Sequence, residues 1–202
     1  LRSGPELLVV DGAAALEFLP RSSANRSALI FICGSGVAAS AYTPLLRPVA
    51  EAGHPVFIVK LPYRFAPFES HKQAVVDRVS GVIAAHPEMS RWVVSGHSLG
   101  GALACRAVKS RSKDFFAMVL IGTTHPKEDM SALLIHVTKI YATNDGVASL
   151  DRIFANKRLL PANTQWVEIE GGNHSQFGHY GHQLLDGKAT ISREAQQAAA
   201  RA

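Results

Sequence analysis

The chain has 202 residues, of which 47% are hydrophobic and 18% are charged, and its formal net charge is +5. This composition excludes a disordered chain and suits one domain with a sizeable core. Lysines and arginines are scattered, and no basic run interleaved with aromatic residues indicates nucleic-acid binding. No apolar run approaches the roughly 18 residues that span a bilayer, so we expect no transmembrane segment in this chain.

The cysteines and the first residue bear on the compartment. Cys33 and Cys105 lie among apolar neighbours, which favours buried free thiols over a disulfide and leaves the redox environment open. Because the chain begins at Leu1 rather than at methionine, its localisation also stays open. The cytoplasm is the default, and an upstream signal or anchor segment is the alternative. The sequence does not define the oligomeric state.

The first predicted element is an edge hairpin over about residues 6–20, in which the runs ELLVV and ALEFLP flank an Asp-Gly turn. Over about residues 28–175, apolar runs then alternate with segments of helical length, which is typical of a mostly parallel sheet with crossover helices. The predicted strands of this core are ALIFIC, PVFIVKL, RWVVSG, FAMVLIG, VTKIYA and TQWVEIE.

The predicted crossover helices are SAYTPLLRPVAEAG, ESHKQAVVDRVSGVIAAH, LGGALACRAVKSR and VASLDRIFANKRLL. An Ala-rich helix over about residues 191–202 ends the chain. These elements predict a single α/β domain over residues 1–202, with a twisted sheet of about six to eight strands and helices on both faces. Ligands of such sheets bind beyond the carboxyl ends of the strands, so we expect the functional residues in the loops there.

One of these loops contains the sequence GHSLGG, which matches G-x-S-x-G between a predicted strand and a predicted helix. Glycines at 96 and 100 permit a sharp turn that exposes Ser98, since larger side chains would collide with neighbouring strands. The N-terminus of the following helix places free N–H groups near the serine oxygen. This context favours Ser98 as a nucleophile over a purely structural turn.

A serine nucleophile needs a base and a group that orients the base. Asp145 follows the strand VTKIYA in an Asn-Asp-Gly turn, and His174 follows the strand TQWVEIE after a Gly-Gly turn. The order Ser, Asp, His is one of the known orders of serine triads along a chain. Three other carboxylates are alternative candidates for the acid, and they are Glu128, Asp129 and Asp151.

Over roughly residues 28–190 the chain resembles the α/β-hydrolase superfamily, through GHSLGG, YATNDGVAS and EGGNHSQFG in that order. It resembles the small capless members, among them the dienelactone-hydrolase-like enzymes. Its tail GGNHSQFGHYGHQLLDGKATISREAQQ is similar to a poorly characterised hydrolase family with this His loop. The resemblance implies an α/β-hydrolase fold and the roles of nucleophile, acid and base for Ser98, Asp145 and His174. Dienelactone hydrolases proper use cysteine, so the serine leaves the substrate open.

The segment CGSGVAA also follows a strand and matches G-x-G-x-x-A, a pattern of dinucleotide sites. A ribose would need an acidic residue after the next strand, which instead offers Lys60 and Arg64, suited only to a 2′-phosphate. By resemblance to hydrolases, this loop supplies one backbone N–H of an oxyanion hole, and Leu99 supplies the other. Ser35 is the expected donor in the loop, with Gly36 as the alternative.

Three histidines lie close together in the sequence and suggest a metal-binding site, namely His174, His179 and His182. Their spacing in a Gly-rich loop, without a cysteine or carboxylate partner, is not that of a metal site. We therefore expect neither a metal nor another cofactor. His97 is expected to pack beside the turn of Ser98. The segment TTHPKEDMSALLIH between two predicted strands is too short for a cap domain, so the site should be open.

These features predict a carboxylesterase-like hydrolase of class EC 3.1, which cleaves a short ester, lactone or thioester through an acyl-enzyme. Its expected partner is a small-molecule acyl substrate. Two alternatives keep the fold, namely an acyltransferase or peptidase with the same triad and a non-catalytic binding module. An NADP-binding protein is a further and weaker alternative.

Overall fold

The computed structural model describes residues 2–22 and 25–202. In this part of the chain the strands are β1 Leu7–Asp11, β2 Ala15–Pro20, β3 Ser27–Ile32, β4 Val56–Val59, β5 Arg91–His97, β6 Phe115–Ile121, β7 His136–Ala142 and β8 Gln165–Ile169. The α-helices are α1 Thr43–Glu51, α2 Glu69–Ala85, α3 Leu99–Arg111, α4 Leu150–Ala155 and α5 Arg193–Arg201.

The strands form one eight-stranded sheet in the order β1-β2-β4-β3-β5-β6-β7-β8. β1 and β2 pair antiparallel at one edge, and β2 is also antiparallel to β4. The strands from β3 to β8 pair parallel to one another. This architecture confirms the predicted mostly parallel sheet with flanking helices.

The central strands are buried because their sequences are apolar on both faces. All four residues of β4 are buried, as are Ile30, Phe31 and Ile32 of β3. Helices α2 and α3 pack against each other, and so do α1 and α5. Both cysteines are buried free thiols, as expected, and burial raises the pKa of Cys33 to about 12.

Helix α4 is shorter than the predicted segment VASLDRIFANKRLL, and a 3-10 turn at Lys157–Leu159 follows it. Before its start, the backbone N–H groups of Val147 and Ala148 donate to the Asp145 carboxylate. These two residues therefore belong to a side-chain-stabilised turn rather than to the helix.

The connection between β6 and β7, residues 122–135, contains no helix, so no cap domain is inserted there. Among the described residues, we find no helix with the length and hydropathy that a bilayer crossing demands. Because β5, β7 and β8 are parallel, the loops that follow them emerge at the same edge of the sheet. This edge contains the residues that the sequence singles out.

Candidate active site

Ser98 lies in a sharp turn between the end of β5 and the start of α3. Its backbone angles are φ 56° and ψ −119°, in the left-handed region that L-residues rarely adopt. A Cβ at Gly96 would lie 2.2 Å from the backbone of Gly100, and a Cβ at Gly100 would lie 2.0 Å from the carbonyl oxygen of Ile32. The turn therefore requires glycine at both positions and holds a partly exposed serine in a strained conformation.

Asp145 and His174 lie in the loops after β7 and β8 and contact each other directly. The distance between Nδ1 of His174 and Oδ2 of Asp145 is 2.8 Å, and both side chains are fully buried. Oδ1 of Asp145 accepts hydrogen bonds from the N–H groups of Val147 and Ala148, at 2.9 and 2.6 Å. Both carboxylate oxygens are thus engaged, which fixes the carboxylate opposite the imidazole.

The Asp145 contact also determines the available nitrogen of His174. A carboxylate only accepts hydrogen bonds, so Nδ1 carries the proton that it donates to Asp145. In the neutral imidazole, Nε2 is then an acceptor. This atom is buried and has no hydrogen-bond partner among the described residues. His174 therefore presents a free basic nitrogen.

The three alternative carboxylates lie elsewhere in the structure. Glu128 forms an ion pair with Lys109, and Asp129 accepts a hydrogen bond from the N–H of Ser131. Asp151 is exposed in the first turn of α4. Of the four candidates, Asp145 is the one that contacts His174.

Ser98 and His174 line the same small cleft, which has a volume of about 170 Å³. The other walls come from Leu99, from Gly122 to His125 after β6, and from Val147, Ala148 and Arg152. The structure thus brings together Ser98 and the His174–Asp145 pair, which are distant in the sequence. The structure shows no hydrogen bond between the Ser98 hydroxyl and Nε2 of His174, but a partly exposed serine and a histidine with an unpaired ring nitrogen in one cleft suit nucleophilic attack.

The loop after β3 contains three consecutive N–H groups with different environments. The N–H of Gly34 donates to the Tyr42 hydroxyl at 2.9 Å, and that of Gly36 donates to the carbonyl oxygen of Arg64 at 2.7 Å. No described residue accepts a hydrogen bond from the N–H of Ser35, which lies exposed between them. Of this loop, Ser35 is thus the residue whose N–H remains available to a ligand.

Tyr42 and His97 connect this loop to the turn of Ser98. The Tyr42 hydroxyl lies 2.9 Å from Nδ1 of His97, and the rings of His97 and His174 lie 4.4 Å apart between centroids. Burial, followed by the proximity of His174, lowers the pKa of His97 well below its usual value, so the ring is neutral. His97 packs beside the turn as expected, whereas the contact with Tyr42 was not anticipated.

Asp186 is a residue of this region that the sequence did not reveal. Its carboxylate accepts hydrogen bonds from the N–H groups of His174, Ser175 and Gly146, at 3.1, 2.8 and 3.2 Å. It also accepts one from the Ser175 hydroxyl at 2.6 Å. One carboxylate therefore joins the loop of His174 to the loop of Asp145. The segment LLDGK suggests only an Asp-Gly turn.

Gln196 of α5 is a second residue that sequence reasoning missed. Its side chain is fully buried, accepts from the N–H of Asn173 at 3.0 Å and donates to the carbonyl oxygen of Asn173 at 2.7 Å. Because Asn173 precedes His174, the C-terminal helix holds the loop of the histidine from the other side. Nothing in the Ala-rich sequence of this helix indicates such a contact.

The fold and the strand-turn-helix placement of the serine define an α/β-hydrolase architecture. The model of the alpha/beta hydrolase family matches residues 28–198, and the chain belongs to this family. A search of the curated proteins found no significant match.

Solved structures with the same fold include two hydrolases and a phospholipase. A predicted CIB-like hydrolase from Thermoplasma acidophilum is 12% identical, with a TM-score of 0.67 over 85% of this chain and 91% of the other. MGS-MChE2, an alpha/beta hydrolase enzyme from a lagoon-sediment metagenome, is 18% identical, with a TM-score of 0.66 over 84% and 90%. A membrane phospholipase A described as a bacterial virulence factor is 14% identical, with a TM-score of 0.65 over 84% and 80%. At these identities the likeness supports the fold.

Proposed function

We propose that the protein is a serine hydrolase that cleaves carboxylic ester-type bonds, with Ser98 as nucleophile, His174 as base and Asp145 as the acid that orients it. The observation that carries the proposal is the buried 2.8 Å contact between His174 and Asp145, which leaves Nε2 of His174 unpaired while His174 and Ser98 line one cleft. Family membership supports hydrolysis as the class of reaction.

In the first half of the proposed reaction, Nε2 of His174 takes the proton of the Ser98 hydroxyl while Oγ attacks the ester carbonyl carbon. The carbonyl oxygen becomes an oxyanion in the tetrahedral intermediate. The imidazolium then gives its proton to the leaving alkoxide, the bond to the alcohol breaks and the acyl group stays on Ser98. Asp145 stabilises the imidazolium and maintains its orientation throughout.

In the second half, His174 takes a proton from water, and the resulting hydroxide attacks the acyl carbon. A second tetrahedral intermediate forms and collapses, and the proton returns through His174 to Oγ of Ser98. The carboxylic acid leaves, and the free enzyme is restored.

The oxyanion is proposed to bind the backbone N–H groups of Leu99 and Ser35. Leu99 is the first residue of α3, where N–H groups have no acceptor within the helix. In the loop after β3, the bond from Gly36 to the Arg64 carbonyl favours Ser35 over Gly36 as the second donor. A helix N-terminus adds a partial positive charge where the oxyanion develops.

Substrates of the ester, lactone or thioester type suit an open cleft without a cap. An acyltransferase or a peptidase would use the same residues. The acyltransferase would transfer the acyl group to an acceptor other than water, and the peptidase would release an amine instead of an alcohol. The likeness to dienelactone-hydrolase-like enzymes stays a prediction.

The environment of Lys60 argues against the NADP-binding alternative. Its ammonium group donates to Oδ1 of Asp11 and to the carbonyl oxygen of Gly12, both at 2.6 Å. A 2′-phosphate would have to displace these partners and would lie beside the Asp11 carboxylate. Saturating NADP should therefore leave the melting temperature unchanged.

The test of the proposed function combines labelling with turnover. A fluorophosphonate probe should modify Ser98, as peptide mass spectrometry can establish, and p-nitrophenyl esters should be hydrolysed. Ser98→Ala should lose labelling and reduce kcat/KM by orders of magnitude, leaving the contribution of binding and oxyanion stabilisation. Full activity in Ser98→Ala would exclude the mechanism. A folded wild-type protein that is neither labelled nor active would instead support a non-catalytic binding module.

A further inference from the structure

A groove runs along α3 beside the cleft that contains Ser98. It has a volume of about 530 Å³ and lies between α3, the start of α2 and the segment after β6, residues 125–130. Leu99 and His125 line both the groove and the Ser98 cleft. The two spaces therefore adjoin next to the candidate nucleophile.

The floor of the groove is apolar. Leu99, Ala102, Leu103 and Arg106 recur along α3 at helical spacing and form one stripe on its surface. Leu103 is buried and Ala102 is half-buried, and Met130 is buried in the opposite wall. An occupant that lies on this floor thus contacts mainly aliphatic side chains.

Most of the charged side chains at the rim form ion pairs. Glu69 pairs with Lys72 at 2.6 Å and with Arg106 at 2.8 Å, and Lys109 pairs with Glu128. Lys127 lines the groove as well, so four basic and two acidic side chains surround the apolar floor and leave a net positive charge at the rim.

The shared wall at His125 is also uncharged at neutral pH. Burial, reinforced by nearby lysines, lowers the pKa of His125 to about 4. His125 itself therefore places no charge between the Ser98 cleft and the apolar floor, while Arg152 lines the cleft and Lys127 lines the groove.

The length of the groove limits the size of its occupant. Leu99 and Lys109 both line it, and ten residues of α-helix advance about 15 Å. An extended alkyl chain of about ten to twelve carbons has a similar length, at roughly 1.2 Å per bond.

We propose that the α3 groove binds the aliphatic acyl chain of the substrate, so that the enzyme prefers medium-chain acyl esters to acetates. This inference rests on the proposed serine hydrolase function. Once the carbonyl carbon is next to Ser98, the chain continues past Leu99 and His125 onto Ala102 and Met130. Removal of methylene groups from water provides the selectivity.

The test measures kcat/KM for p-nitrophenyl acetate, butyrate, octanoate, decanoate and palmitate below their micelle concentrations. We expect about a twofold gain per methylene up to decanoate, because an open groove buries only part of each methylene, and a decline at palmitate. A decline in kcat/KM from acetate to octanoate would overturn the inference. Hydrolysis would still occur in that case, so the proposed function would survive.

The variant Ala102→Trp fills the groove, and Ala102→Leu is a smaller substitution in case the first does not fold. The ratio of kcat/KM for decanoate to that for acetate should fall at least about tenfold. Ala84→Trp is the matched control, because Ala84 is exposed near the far end of α2, and it should retain the wild-type ratio. An unchanged ratio in folded variants at position 102 would exclude the groove. Absence of any ester hydrolysis and of fluorophosphonate labelling would instead overturn the proposed function, and this inference with it.

Discussion

Nδ1 of His174 lies 2.8 Å from Oδ2 of Asp145, and neither side chain is exposed to solvent. A carboxylate in this position fixes the tautomer of the imidazole and stabilises the positive charge that develops when Nε2 takes a proton. Because the contact is buried, water does not compete for it. The contact is therefore already formed in the structure, which makes this pair the first feature to test.

Asp145→Asn should reduce kcat/KM by about 10³ to 10⁴, because the neutral amide no longer stabilises the protonated imidazole or its required tautomer. The measurement is turnover of the ester that wild-type protein hydrolyses best. Asp151→Asn is the matched control and should be close to wild type, since Asp151 is exposed on α4. Wild-type turnover in Asp145→Asn, or a comparable loss in Asp151→Asn, would contradict the assignment of Asp145 as the acid.

Ser98→Gly should reduce ester hydrolysis by orders of magnitude, as Ser98→Ala does, and stabilise the fold. Ser98 has a φ of 56°, and such a conformation costs a residue with a Cβ about 1 to 3 kcal/mol. Glycine removes this strain but gives the unfolded chain more freedom, so we expect a net gain of about 1 kcal/mol in the free energy of unfolding. Urea denaturation measures it. Ser98→Ala retains the Cβ and should gain less, and equal stabilities would mean that the turn is not strained.

The sequence predicts the position of the candidate site because its main determinants are local. Apolar runs define the strands, and parallel strands place the residues that follow them at one edge of the sheet. Ser98 comes directly after β5, and Asp145 and His174 lie in the loops that follow β7 and β8, so all three could be identified without knowledge of their contacts.

The supporting contacts could not be predicted because they depend on how distant segments fold back. Asp186 lies in an irregular segment, and its acceptor role requires that segment to return to the N–H groups of His174 and Gly146. Gln196 likewise acts from a helix whose sequence shows only alanines and polar residues. The predicted start of α4 was also wrong, since Val147 and Ala148 lie in a turn that the Asp145 carboxylate closes.

Gly100→Ala should destabilise the protein by about 3 kcal/mol, because its Cβ would lie 2.0 Å from the carbonyl oxygen of Ile32 and the backbone would have to move. Gly81→Ala provides the contrast. Gly81 lies inside α2 with nothing within 4 Å of an added Cβ, so alanine should stabilise by about 0.5 to 1 kcal/mol through helix propensity. Thermal and urea unfolding of both variants measure the difference, and equal stabilities would contradict the close approach of α3 to β3.

Asp186→Asn should lower both stability and turnover. Its amide NH₂ group would face N–H donors in the loop of His174 or in the loop of Asp145. Leaving such donors unsatisfied costs about 2 kcal/mol. Burial by itself would raise the pKa of Asp186, but hydrogen bonds from Ser175, His174 and Gly146 lower it below its usual value. A lowered carboxyl pKa stabilises the fold above the unfolded pKa of about 3.9, and this contribution is lost as the pH falls through the folded pKa.

The difference in free energy of unfolding between wild type and Asp186→Asn should therefore be constant from about pH 5 to 8 and shrink below about pH 4. A difference that grows on acidification would refute the proposed role of the carboxylate. In the kinetics, a displaced His174 should lower kcat more than it raises KM, because Asp186 contacts the loops of the base and the acid rather than the groove along α3. Asp129→Asn is the control, since that exposed carboxylate makes its hydrogen bond within its own loop, and its turnover should match wild type.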